Sequence, residues 1–150
     1  MATDFVTSYR DPERSRMDAS LRIRTATRGE AELLLEIQKA SSVAGFGHVF
    51  PPDKYPFPDK AVLERWQKAV NDPAEVVVLA ELDAAEVGFA AMCSEWLDAL
   101  YVTPSCWGMG VGARLHDHAV TWIRDLGCKH CRLWVLEQNT RARRFYERRG

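Results

Sequence analysis

The segment from Leu100 to Gly112 constrains the fold more than any other part of the sequence. It runs from an apolar strand through Thr103-Pro104 into a turn with glycine at alternate positions. Glycine has no Cβ atom, so a ligand can approach the main chain of such a turn closely. An amphipathic helix is predicted to follow, and the free N–H groups and positive dipole at its start favour a phosphate. The segment therefore predicts a backbone site for a phosphorylated cofactor.

Composition and charge narrow the class of protein. The chain has 150 residues, 47% hydrophobic and 27% charged, which is typical of one globular domain. Its formal net charge of -1 gives no reason to expect a nucleic-acid partner. No apolar run is long enough to span a bilayer, and the N-terminus lacks the pattern of a signal peptide. We therefore expect a cytoplasmic protein without a membrane partner, whose four cysteines are free thiols.

The pattern along the chain predicts an α/β domain. Residues 1–19 are polar and aperiodic and are expected to be a flexible tail, so the domain covers residues 20–150. Short links between consecutive strands predict an antiparallel meander, and hence a mixed, mostly antiparallel central sheet flanked by helices. The predicted elements are a strand at Leu21–Arg24, a helix after the capping box Thr27–Glu30, an irregular aromatic segment at Ser41–Pro58, a helix capped by Asp59, strands at Glu75–Leu82, Val87–Cys93 and Trp96–Val102, a helix after the glycine turn, a strand at Cys131–Leu136 and a helix at Thr140–Arg148.

The helix after the glycine turn is predicted to bury one face. That face carries Val111, Leu115, Ala119, Trp122 and Leu126, with Gly127 ending the helix. A dinucleotide-binding fold would place its glycine turn after the first strand, with the spacing G-x-G-x-x-G. Here the spacing is G-x-G-x-G and the turn follows a late strand, which argues against that fold.

Two motifs in this order resemble a known family. Trp107–Gly112 matches the pattern Q/R-x-x-G-x-G/A except at its first position, and Asn139–Gly150 matches N-x-x-A-x-x-F-Y-E-x-x-G. From about Leu21 onward the sequence therefore resembles the GNAT family, the acetyl-coenzyme A dependent N-acetyltransferases. The resemblance implies the GNAT-like acyltransferase fold, with acetyl-CoA as cosubstrate. It also implies transfer of the acetyl group to a primary amine by direct attack in a ternary complex.

The resemblance implies where the cofactor binds. The pyrophosphate would lie on the N–H groups of the glycine turn, and the pantetheine arm would add to the preceding strand like an extra strand. Asn139 would bind the pantetheine arm, and a role as a simple helix cap can hold at the same time. The implied cofactor-binding residues are Leu100, Tyr101, Val102, Trp107, Gly108, Met109, Gly110, Val111, Gly112, Ala113, Asn139 and Ala142.

Two residues are the candidate catalysts. Tyr146 matches the general acid of the family, which protonates the departing thiolate; packing within a half-buried helix is the alternative role. Strand alternation places Asp98 on one face with Trp96 and Leu100, which makes it the candidate general base. An aspartate that is merely exposed on the surface is the other interpretation. Glu95 and Glu137 are reserve candidates.

Aromatic residues suggest the acceptor pocket. Phe46 and His48 lie in the irregular segment, which can be a lid or a loop packed on the core, and Trp96 would line the same pocket or belong to the core. The near-neutral charge and this aromatic segment favour a small, partly apolar amine. A protein or peptide amine is the alternative acceptor, and a coenzyme A binding module without turnover is the rival from another class.

The remaining signals concern metals and the chain's end. Cys128 and Cys131 form one C-x-x-C pair, which supplies two of the four ligands of a zinc site, so no metal is expected. Trp107 departs from the glutamine or arginine usual in the family. Family members usually continue into two further strands beyond the position of Gly150. The resemblance therefore implies an open sheet edge at Cys131–Leu136, from truncation or covered by a second copy in a homodimer.

Overall fold

A computed structural model describes residues 20–150, and the predicted tail at residues 1–19 lies outside them. The elements are β1 (Leu21–Thr25), α1 (Ala31–Phe46), α2 (Asp59–Asn71), β2 (Glu75–Leu82), β3 (Ala85–Cys93), β4 (Trp96–Val102), α3 (Val111–Asp125) and α4 (Thr140–Arg149), with 3-10 turns at Arg28–Glu30 and Pro104–Cys106. Within this range no helix is both long and apolar enough to cross a membrane.

The four strands form one antiparallel sheet in chain order, which confirms the predicted meander and fold class. Two-residue turns join β2 to β3 and β3 to β4. In the first turn Asp83 and Ala84 have φ of 52° and 65°, and left-handed residues of this kind match the twist of a tight hairpin. Such short turns leave no room for a crossover, so each strand pairs with its sequence neighbour.

Helices cover both faces of the sheet. On one face α3 packs through Val111, Leu115 and Ile123 against apolar side chains of β2, β3 and β4. On the other face α1 and α2 pack through Leu34 and Trp66, among other residues, against Leu79 and Phe89. Completely burying a leucine or phenylalanine contributes about 1.5–3 kcal/mol, so this two-sided burial is the main source of the domain's stability.

The prediction of a strand at Cys131–Leu136 is wrong. Only Arg132 forms a bridge, parallel to β4: the Leu97 N–H donates to the Arg132 carbonyl and the Arg132 N–H to the Glu95 carbonyl, both at 2.8 Å. A strand needs successive backbone groups within hydrogen-bond distance of a neighbour. Within residues 20–150 no backbone hydrogen bond joins the segment beyond Arg132 to β4, so no such ladder forms.

Helix boundaries differ from the prediction at three points. The irregular segment was expected from Ser41, but α1 continues to Phe46, since the residues before Gly47 are compatible with a helix. Asp59 is the first helical residue rather than the cap, and its carboxylate pairs with Lys39 at 3.0 Å. In α3, Leu126 is 55% exposed because the helix ends at Asp125, and Ile123 is buried on the packed face with Leu115 and Ala119.

Candidate functional site

A cavity of about 590 Å³ lies beside the carboxyl end of β4. Its walls come from the end of α1, the glycine turn with the start of α3, and α4. Most of the residues predicted to bind the cofactor line it, together with the predicted acid and one predicted pocket residue. Those residues are Leu100, Tyr101, Val102, Trp107, Gly108, Gly110, Val111, Gly112, Ala113, Asn139, Ala142, Tyr146 and Phe46.

The glycine turn presents backbone donors to this cavity. Gly108 and Gly110 have φ of 78° and 91°, the left-handed region that glycine adopts without strain. Gly110 immediately precedes α3, and the first helical N–H to bond back to its carbonyl is that of Arg114, at 3.1 Å. The N–H groups of the three residues between them have no partner four residues back within the helix, as at the start of any helix. They create positive potential that suits a phosphate.

Space at the turn is limited by neighbouring side chains. A Cβ atom built on Gly112 would lie 3.7 Å from the Phe145 ring and 3.7 Å from the Val102 side chain. The start of α3, the end of β4 and α4 therefore meet at this glycine. A larger side chain at position 112 would have to project into the cavity or displace α4.

The Trp107 side chain joins the turn to the neighbouring elements. Its indole N–H donates to the Val102 carbonyl at 2.8 Å. The Cζ atom of Arg141 lies 3.8 Å from the centroid of the indole ring, in cation–π contact. This contact was not predicted, although the departure of Trp107 from the family motif was the available signal. The Val102 carbonyl, at the end of the strand to which the pantetheine arm is expected to add, therefore already has a donor.

Tyr146 lies on the cavity-facing side of α4 beside other aromatic rings. Its ring is 5.1 Å from that of Phe145 and 6.1 Å from that of His116, measured between centroids. Burial raises the pKa of Tyr146 well above its ordinary value, and the nearby Tyr101 and Cys131 raise it further. Its hydroxyl therefore carries a proton at neutral pH and can donate it.

Asn139 positions the helix that carries Tyr146. Its side-chain Oδ1 accepts a hydrogen bond from the Ala142 N–H at 3.1 Å, which confirms the predicted helix cap. Because Asn139 also lines the cavity, the cap ties the start of α4 to the site.

Hydrogen bonds between side chains that were not predicted as site residues connect the core to the cavity from the opposite side. The Trp66 indole N–H donates to Gln38 Oε1 at 2.7 Å, and Gln38 Nε2 donates to the Tyr101 hydroxyl at 3.5 Å. Burial raises the pKa of Tyr101. No local pattern in the sequence indicates that Gln38 has a partner 63 residues away.

Asp98 lies outside the cavity lining because β4 carries an irregularity. Ala99 pairs with Ala91 and Leu97 with Met92, so Asp98 has no partner on β3. The bulge breaks the two-residue alternation, and Leu97 and Leu100 pack on the α3 face. The predicted common face of Trp96, Asp98 and Leu100 is therefore wrong.

The surroundings of Asp98 still alter its acidity. Its carboxyl is close enough to Glu75 and Arg65 to feel both charges. Desolvation raises the pKa of Asp98 above its ordinary value, and the charge of Glu75 raises it further, while Arg65 acts in the opposite direction. Asp98 is thus a stronger base than an isolated aspartate.

Other predicted residues also lie away from the cavity. Trp96 stacks on Trp134 with ring centroids 6.0 Å apart, and both line a separate open groove. His48 is exposed, and Met109 is 46% exposed without lining the cavity. Of the reserve bases, Glu95 pairs with Arg132 at 3.2 Å.

The remaining reserve base and the two cysteines have surroundings of their own. Glu137 is exposed just before the cap of α4. The thiols of Cys128 and Cys131 pack against the core beneath α3, and burial raises the pKa of Cys131.

Comparison with known proteins relates this geometry to a family. The model of the acetyltransferase (GNAT) family matches residues 31–150. The peptidyl-lysine N-acetyltransferase YjaB of Salmonella typhimurium is 34% identical over 133 residues, covering 87% of this chain and 82% of its own. An uncharacterized N-acetyltransferase of Archaeoglobus fulgidus is 36% identical over 81 residues, which are 47% of this chain and 55% of that protein. This match thus extends over about half of the Archaeoglobus protein.

A solved structure shows the same fold. The PaiA N-acetyltransferase of Thermoplasma acidophilum, solved in complex with coenzyme A, superposes with a TM-score of 0.73. The superposition covers 87% of this chain and 89% of that chain, at 22% sequence identity.

Proposed function

This chain belongs to the acetyltransferase (GNAT) family, and we propose that it transfers the acetyl group of acetyl-coenzyme A to a primary amine. The observation that carries the proposal is the convergence of three features on one cavity. These are the backbone donors of the glycine turn, the carboxyl end of β4, and the Tyr146 hydroxyl. Each feature alone has a structural explanation, whereas their meeting in one cavity matches the needs of acyl transfer from a phosphorylated thioester.

The glycine turn would hold the pyrophosphate. The N–H groups from Gly108 to Ala113 lie along one wall, and glycine at positions 108, 110 and 112 keeps side chains out of that wall. The open cavity beside Leu100 and Tyr101 would take the pantetheine arm, which reaches from the turn toward Tyr146. A donor from the β4 main chain would stabilise negative charge on the thioester oxygen.

Tyr146 is proposed as the general acid. An acetyl thioester supplies the activated acyl group, and the amine attacks it directly without a covalent enzyme intermediate. The Tyr146 hydroxyl holds its proton at neutral pH and would deliver it to the departing sulfur.

Asp98 is proposed as the group that takes the proton from the incoming ammonium. Its raised pKa improves it as a base. Because it does not line the cavity, the proton would pass through water rather than directly. Of the other predicted pocket residues, only Phe46 lines the cavity that would receive the acceptor's reacting end.

The acceptor is proposed to be a primary amine of one of two classes. The near-neutral charge and the apolar wall at Phe46 support a small, partly apolar amine. The similarity to YjaB, which is named for action on peptidyl lysine, supports a lysine side chain of a protein. Both classes present the same reacting group, an unprotonated primary amine.

The test measures coenzyme A release with two acceptor panels. One panel holds small diamines and arylalkylamines, and the other holds lysine-containing peptides with blocked N-termini. Turnover with one panel at least a hundredfold above hydrolysis would identify the acceptor class. Binding of acetyl-coenzyme A without turnover on either panel would favour the rival hypothesis, a binding module.

We further propose that the protein is cytoplasmic and that it forms a homodimer. The four cysteines are free thiols, which supports the cytoplasm as the location. The exposed side chains of Trp134 and Leu136, beside the single bridge to β4, support a homodimer in which a second copy covers this segment.

A further inference from the structure

Arg141 is a cationic side chain that lines the cavity. Within residues 20–150 no carboxylate lies within ion-pair distance of Arg141, whereas Arg143 pairs with Glu147 at 3.8 Å and Arg149 with Asp117 at 3.4 Å. Partial burial without a neighbouring anion lowers the pKa of the Arg141 guanidinium. An arginine in this situation gains most from an anionic ligand.

Trp107 determines where that cation lies. The indole is anchored by its N–H to the Val102 carbonyl at 2.8 Å, and the guanidinium stacks 3.8 Å from the ring centroid. The indole therefore forms a platform between the end of β4 and the start of α4. Stacking leaves the edge of the guanidinium, which carries its N–H donors, free to face the cavity.

The platform lies at the phosphate turn itself. Trp107 is the residue directly before Gly108, and both line the cavity together with Arg141. Tryptophan has no charge with which to contact a phosphate, so the turn supplies backbone donors but no cation of its own at this position. The only cationic side chain stacked on the turn comes from α4, a separate element 34 residues later in the described chain.

We propose that Arg141, held on the Trp107 indole, binds the pyrophosphate of coenzyme A in place of a charged side chain at the start of the turn. This inference rests on the proposed function, because it assumes that coenzyme A occupies this cavity. Arg141 acts here as the binding residue and Trp107 as its positioning residue. The two residues would form one unit, so the loss of either weakens the grip on the pyrophosphate.

The experiment is calorimetric titration of the full chain with coenzyme A and with dephospho-coenzyme A, which lacks the 3′-phosphate but keeps the pyrophosphate. Arg141→Gln is expected to raise both dissociation constants about tenfold or more, the usual effect of removing a charge-assisted contact. Arg143→Gln is the matched control, since Arg143 lies on the same helix but outside the cavity lining, and it should change neither constant by more than about twofold.

Variants at position 107 test the positioning role. Trp107→Leu removes the platform and should weaken binding of both ligands, and it should also flatten the dependence of affinity on salt concentration. Trp107→Phe keeps an aromatic face without the indole N–H and should restore part of the affinity and of the salt dependence. If Trp107 contributed only to folding, the dissociation constants of its variants would depend on salt concentration as those of the wild type do.

Three results would overturn the inference. Unchanged binding of both ligands by Arg141→Gln would show that the cation does not contact a phosphate. A loss with coenzyme A but not with dephospho-coenzyme A would assign Arg141 to the 3′-phosphate instead. A folded wild-type chain that binds neither ligand would overturn the proposed function, and the inference with it.

Discussion

The buried indole of Trp66 donates its N–H to Gln38 Oε1 at 2.7 Å, and this bond links α2 to α1 above the sheet. Trp66 is 3% exposed, so its N–H has no access to bulk water as an alternative partner. The second end of Gln38 reaches the Tyr101 hydroxyl beside the cavity. One amide thus satisfies a core donor and positions a residue of the candidate site.

Gln38→Met should therefore destabilise the protein. The substitution keeps the side chain's length but leaves the Trp66 N–H without an acceptor, which costs about 1–3 kcal/mol. Chemical denaturation measures the change in the free energy of unfolding. Gln67→Met is the control, because Gln67 is exposed on α2 and should change stability by less than about 0.5 kcal/mol. Equal effects of the two substitutions would show that the Gln38 bond contributes nothing.

Tyr146→Phe should remove turnover while leaving the fold intact. The phenylalanine keeps the ring packing against Phe145 but cannot deliver a proton, so kcat should fall about a hundredfold or more. The dissociation constant of acetyl-coenzyme A and the melting temperature should stay the same. Tyr55→Phe is the control, since Tyr55 is 57% exposed. A kcat within twofold of wild type would mean that another group protonates the sulfur.

Asp98→Asn tests the proposed base through the pH profile of kcat/KM. With Asp98 as the base, kcat/KM should fall on the acidic side of a pKa above the ordinary aspartate range, because desolvation and Glu75 raise it. The asparagine variant should be slower and lack this acidic limb. A folded-state pKa that is raised means that ionised Asp98 does not stabilise the fold at neutral pH, so the variant should fold normally.

The control for the Asp98 experiment is Asp53→Asn, an exposed residue of the segment between α1 and α2. An unchanged profile in Asp98→Asn would remove Asp98 from the mechanism without affecting the assignment of Tyr146.

Gly110→Ala should destabilise the domain through backbone strain. Gly110 has φ of 91° at the residue before α3, and an L side chain there costs about 1–2 kcal/mol. Gly29→Ala is the matched control, because a Cβ atom on Gly29 meets no atom within 4 Å. Urea denaturation of the two variants compares them directly. Equal stabilities of the two variants would show that the turn can relax so that residue 110 no longer has a positive φ.

The ion pair between Arg24 and Glu30 should make stability depend on acid pH. Two hydrogen bonds, at 2.7 and 2.6 Å, lower the pKa of Glu30 from its ordinary 4.5 to about 2. A lowered folded-state pKa contributes stability that is present above about pH 4.5 and is lost as the pH falls toward 2.

Glu30→Gln should therefore reduce the free energy of unfolding by about 2 kcal/mol at pH 7 and by much less near pH 2. Denaturation at several pH values measures this difference. Glu32→Gln, at an exposed position of the first turn of α1, should show no comparable dependence on pH. If the difference in free energy of unfolding between Glu30→Gln and the wild type stayed the same from pH 7 to pH 2, the charge of Glu30 would not be the cause of the destabilisation.

Local patterns were enough to predict much of the fold. Apolar runs separated by short links predicted β2, β3 and β4 in the right order, because these signals act between neighbours in the chain. Glycine spacing likewise predicted the turn, and Asn139 the cap of α4. The resemblance of the two motifs added the family, which the match over residues 31–150 confirms.

Tertiary contacts decided the rest. The bulge at Asp98 arises from how β4 meets β3, so alternation counted along one strand misplaced its side chain. The Cys131–Leu136 segment had the composition of a strand but lacks a continuous neighbour to pair with. The contacts of Arg141 with Trp107 and of Gln38 with Trp66 join residues 34 and 28 positions apart. The sequence determined the backbone's local choices, because these depend on adjacent residues. Only the folded packing decided which distant side chains meet, because that depends on the geometry of all the elements together.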